Sequence, residues 1–110
     1  MAANDPQLAL EALLEQALRS EDPLAVLRAA PDEWHEQIAH IDPDGFRIAA
    51  LLVARLRFER LVQGSRRAAE WFDSDPEAFT VAFRRYHREV PSRAFDPWGE
   101  AAAFAAWRDP

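Results

Sequence analysis

The stretch PDGFRIAALLVARLRFERLVQG, residues 43–64, decides the fold. In its first half Phe46, Ile48, Ala49, Ala50, Leu51, Leu52, Val53 and Ala54 put apolar groups on nearly every side of a helix. A helix apolar all round belongs inside a protein. In its second half Arg55, Arg57, Glu59 and Arg60 confine the apolar stripe to Leu56, Phe58, Leu61 and Val62. The expectation is a buried central helix over about 43–63 that emerges toward solvent at its far end. Gly64 stands where a residue following the C-cap is expected.

Outward from this helix, Asp-Pro punctuates the chain. The pair occurs at Asp5-Pro6, Asp22-Pro23, Asp42-Pro43, Asp75-Pro76, Asp96-Pro97 and Asp109-Pro110. An Asp at the N-cap accepts orphan backbone N–H groups, and a Pro at N1 needs no N–H and has a preset φ. The first five pairs each precede a helix-compatible run, and the sixth is the last dipeptide. Helices are predicted over 6–19 (Leu10, Leu13, Leu14, Ala17, Leu18 inward), 23–30 (Leu24, Val26, Leu27) and 32–41 (Trp34, Ile38, Ile41). Three more are predicted after the central one: 65–73 (Trp71, Phe72), 76–89 (Phe79, Ala82, Phe83, Tyr86) and 97–108 (Ala101, Ala102, Phe104, Ala105, Trp107). Valine, isoleucine and threonine total nine residues with no alternating run, so strand signals are nearly absent. The prediction is an all-α fold, a small bundle of six to seven helices forming a single domain over 1–110.

Composition limits the chemistry. All thirteen basic residues are arginine, so lysine-based phosphate cradles, Schiff bases and general bases are excluded. Cysteine is absent, which removes disulfides and thiolate metal sites and favours a cytoplasmic setting. The apolar run 48–54 is too short to span a membrane, and the opening MAANDPQ has no targeting character. Net charge is −6. It is split between an acidic front, residues 1–44, and a mildly basic remainder. That asymmetry fits either two differing faces or pairing within the chain.

No catalytic motif emerges. His35 and His40 are five residues apart, roughly 140° around a helix, and cannot share a metal ion there. Ser20, Ser65, Ser74 and Ser92 sit at predicted helix boundaries, where capping accounts for them. Gly45, Gly64 and Gly99 are isolated and make no phosphate loop. The expectation is a protein that is not an enzyme and carries no cofactor or metal of its own. Two arginine groups remain, Arg55, Arg57, Arg60, Arg66 and Arg67, and then Arg84, Arg85, Arg88 and Arg93. Either they form a solvated face paired with the acidic half, or they meet an anionic partner. Duplex DNA is the weaker partner, because the chain lacks a basic footprint.

The segments RIAALLVARLRFERLV and AEWFDSDPEAFTVAFRRYHREVPSRAFDPWGEAAAFAAW resemble a family of small bacterial helical domains classed as DNA-binding. The resemblance lies in Arg47, Asp75, Phe79, Phe83, Tyr86, Pro91, Trp98-Gly99 and Phe104, across roughly 45–107. This chain has Glu89-Val90-Pro91 where the family commonly has His-Pro-Pro after the Tyr. The resemblance implies a small partner subunit of a multinuclear non-haem iron oxidative enzyme that helps bind the precursor peptide of a ribosomally made natural product, and the arginine groups make an acidic peptide the expected one. A DNA-binding or regulatory helical module is the alternative, and a stand-alone enzyme the third. The residues expected to meet a partner are Arg84, Arg85, Arg88, Trp98 and Trp107, the arginines facing out while Phe79, Phe83 and Tyr86 turn inward.

Overall fold

The computed structural model describes residues 5–109; the N-terminal Met1–Asn4 and Pro110, and with it the sixth Asp-Pro pair, lie outside them. Every regular element among the described residues is helical. The helices are α1 (Pro6–Arg19), α2 (Pro23–Arg28), α3 (His35–Ala39), α4 (Pro43–Gly64), α5 (Arg66–Ser74), α6 (Pro76–Glu89) and α7 (Pro97–Arg108), with a 3₁₀ turn over Asp32–Trp34. None is long and apolar enough to cross a membrane. All five internal Asp-Pro pairs cap helices. Asp5, Asp22, Asp42, Asp75 and Asp96 accept from the backbone N–H of Gln7, Ala25, Gly45, Ala78 and Gly99 at 2.8–3.2 Å. The chain divides into two compact units, Met1–Val53 and Ala54–Pro110.

Among the described residues of the first unit the buried apolar ones are Ala17, Pro23, Leu27, Ala30 and Ala50. Pro31 stops α2. The segment expected to be one helix over 32–41 instead begins as a 3₁₀ turn, with the Trp34 N–H bonded to the Pro31 carbonyl at 3.0 Å. Such tight turns are common at helix starts. The predicted burial of the first half of α4 is corrected here. Ile48 and Leu52 are more than half exposed and Leu51 is 67% exposed.

The second unit is built on interlocked aromatic rings. Phe58 of α4 stands edge-on to Phe72, Phe79 and Phe83 at centroid separations of 5.1, 5.6 and 5.2 Å. Trp71 of α5 meets Phe79 at 5.3 Å, and Tyr86 meets Phe104 of α7 at 5.1 Å. Edge-to-face pairs of this kind add to the area they bury. Asp75 ends α5, donating its N–H to the Trp71 carbonyl, and starts α6 with its carboxylate. A single residue therefore makes the corner. Gly64 is helical with no left-handed φ, so its expected place beyond the C-cap is corrected. A Cβ there would lie 1.9 Å from the Pro97 carbonyl oxygen; the glycine is needed for close approach. Phe104 is buried and Trp107 half-buried, whereas Ala102 and Ala105, expected to face inward, are exposed.

Candidate functional site

The most unusual group of side chains in the second unit is a buried charge cluster. Arg57, expected on a solvated face, is 0% exposed, and Glu100, in the first turn of α7, is 1% exposed. The guanidinium Nε of Arg57 donates to Glu100 Oε2 at 3.0 Å, and its Nη1 donates to the Val90 carbonyl at 2.6 Å. Tyr86 donates its hydroxyl to the same Oε2. Arg60 reaches Glu100 Oε1 at 3.4 Å and Ser92 Oγ at 3.3 Å. The Arg57 guanidinium also lies 4.2 Å from the centroid of the Tyr86 ring. Nη1 is 3.3 Å from His87 Nδ1. Arginine has no lone pair, so Nδ1 is the acceptor and the His87 proton sits on Nε2. The His87 ring stacks on Phe83, 5.8 Å away and 6° from parallel.

Physical chemistry says what this cluster can do. Both oxygens of Glu100 already accept, from three donors in all. Burial, and then the hydrogen bond to Glu100, push the Tyr86 phenol well above its ordinary value. A tyrosine used for proton transfer near neutrality needs the opposite shift. The cluster acts as a clasp, joining the second half of α4, the end of α6, the 90–92 segment and the start of α7. Among the described residues no group of three or more His, Asp or Glu is placed to hold a metal ion.

The residues expected to meet a partner fall in different places. Arg84, Arg85 and Arg88 are exposed on α6, while Phe79, Phe83 and Tyr86 are buried. Arg85 pairs with Glu89 at 3.4 Å and lies 5.9 Å over the Trp107 ring. The Trp107 indole N–H donates to Glu89 Oε1 at 3.2 Å. That bond, followed by the charge of Arg85, holds the Glu89 carboxyl below the usual carboxylate range. Arg85, Glu89 and Trp107 thus form one cluster. Trp98 is not part of it. Nine residues separate Trp98 from Trp107 on α7, about half a turn in azimuth and about 13 Å along the axis. Trp98 is 78% exposed and Phe95, in the loop before α7, is 89% exposed.

Sequence reasoning missed Arg57, His87 and Glu100. One signal was present: Ala50, Arg57, Leu61 and Gly64 recur along a single line of α4 at helical spacing, so the period placed Arg57 on the inner face although its charge argued otherwise. Glu100 likewise precedes Phe104 by four residues and shares its face. No family model, curated protein or solved structure matches the chain.

Proposed function

We propose that the protein is a non-catalytic binding subunit that docks on a peptide-modifying oxidative enzyme and helps hold its acidic precursor peptide. In this reading the multinuclear iron belongs to the partner enzyme. The observation that supports it is the exposed aromatic pair Phe95 and Trp98, three residues apart at the entrance to α7. Large aromatic side chains left this open are the usual anchors of protein interfaces. The exposed Arg84, Arg88 and Arg93 supply cationic groups in the same unit. Guanidinium forks suit carboxylates of a peptide or an enzyme surface. Trp107 contributes through Arg85 and Glu89, which it already touches.

The test is a quantitative pull-down against the proteins encoded by neighbouring genes, using Phe95→Ala/Trp98→Ala and Arg84→Ala/Arg88→Ala variants. All four side chains are exposed, so the variants should fold. The aromatic pair should cost about thirtyfold or more in affinity, the effect of losing an interface anchor of about 2 kcal/mol. The arginine pair should cost less and flatten the salt dependence. Undiminished capture by the aromatic variant would overturn the reading.

A further inference from the structure

The first unit contains an open depression of about 580 Å³ lined by Leu24, Leu27, Arg28, His35, Ile38, Ala39, Ile41 and Pro43. Its size lies within the range of small-molecule sites, which are mostly apolar with a few placed polar groups. α2 supplies Leu24, Leu27 and Arg28, α3 supplies His35, Ile38 and Ala39, and the start of α4 supplies Pro43. Only Arg28 and His35 can make strong polar contacts, and they differ. His35 is committed, its Nε2–H donating to the Ala30 carbonyl at 3.0 Å and its Nδ1 lying 3.5 Å from Asp32. Arg28, exposed in the last turn of α2, has no ion pair among the described residues. The walls offer aliphatic surface, and Arg28 is the lining residue whose guanidinium is uncommitted.

We infer that this depression binds a medium-chain aliphatic carboxylate, with the chain against Leu24, Leu27, Ile38 and Ile41 and the carboxylate on Arg28. The apolar lining would take methylene groups out of water, a gain that grows with each buried group. The guanidinium selects the head group: it can fork onto a carboxylate and has no equivalent pairing with an alcohol or an ammonium. All lining residues lie within Met1–Val53, and the site does not rest on the docking role of Phe95 and Trp98.

The experiment is a titration of the full-length ¹⁵N-labelled chain with decanoate and with decanol, below the concentration at which either aggregates. Decanoate is expected to give saturable amide shifts confined to residues 24–43 and to bind about fivefold more tightly than decanol, as an exposed ion pair allows. Arg28→Gln should bring decanoate down to the level of decanol. Ala39→Phe, a change at an exposed position that fills the depression, should weaken both. The inference is overturned if decanoate gives no saturable shifts at 24–43, if Arg28→Gln leaves the preference intact, or if Ala39→Phe binds both as tightly as the parent.

Discussion

Among the described residues of the first unit the buried apolar side chains are three alanines, Pro23 and Leu27, and Ile48, Leu51 and Leu52 of α4 remain open to water. In Ala54–Pro110 the largest fully buried side chain is an arginine, with Tyr86, Phe79, Leu61 and Glu100 beside it. The two regions share α4, and along that helix polarity runs opposite to the simple expectation. Leucines are exposed where the sequence is most apolar, and Arg57 is buried where it becomes charged. Hydrophobicity alone does not decide burial. Desolvating an arginine and a glutamate costs several kcal/mol each, and only well-formed bonds offset that cost. Arg57 has them in Glu100 and Val90, together with the face of Tyr86.

The largest expected effect breaks this pairing from one side. Glu100→Ala would leave Arg57 buried without its counter-charge and should destabilise the fold by about 3–5 kcal/mol. Hydrogen exchange should show the loss in α6 and α7. Arg57→Met/Glu100→Leu, which removes both charges, should cost less than either single charge deletion. If the double variant costs the sum of the singles, the two side chains do not act as a pair. Next in size is Gly64→Ala. Because the new Cβ would meet the Pro97 carbonyl oxygen at 1.9 Å, α4 or the start of α7 must shift, at about 1–3 kcal/mol. An unchanged denaturation midpoint would show that this approach is not tight in solution.

These two variants also mark the boundary of what could be read from sequence. The five Asp-Pro caps, the all-helical class and the limits of α1, α6 and α7 were legible, because capping chemistry and a 3.6-residue stripe are local. The inner set Phe79, Phe83, Tyr86 and Phe104 followed from the same period. The period set Arg57 on the inner face, but the carboxylate that offsets its burial lies 43 residues away and left no local sign. Gly64 was read through the local habit of helix ends, whereas its cause is the backbone of Pro97. Trp98 and Trp107 looked equivalent because both bracket one helix; half a turn of α7 separates them. The exposure of Phe95 carried no sequence signal of its own.

The smallest effect sharpens the comparison at the protein surface. Glu89 is held ionised by the Trp107 N–H and Arg85, with its native value below the ordinary 4.5. A lowered carboxyl contributes stability above its unfolded value, and that contribution fades as pH falls through the native value. The Trp107 indole N–H resonance should therefore move with a midpoint below 4.5, and Glu89→Gln should abolish the transition. An indole signal indifferent to pH would remove Glu89 as its partner. Unlike Glu100, Glu89 is exposed, so this change should leave the fold almost as stable as before.

A buried cluster of Arg57, Glu100 and Tyr86 holds the second unit together. Tyr86 is the chain's one tyrosine, and there is no lysine or cysteine. Tyrosinate absorbance during alkaline titration thus reports this phenol alone, while arginine stays charged. The phenol is raised in the native state, so its stabilising contribution is complete below the unfolded value of about 10 and is lost as pH climbs beyond it. No tyrosinate is expected at pH values around 10 while far-ultraviolet circular dichroism still shows the folded helices, with ionisation coming only together with unfolding. A phenol that ionises near pH 10 in the folded protein would contradict it.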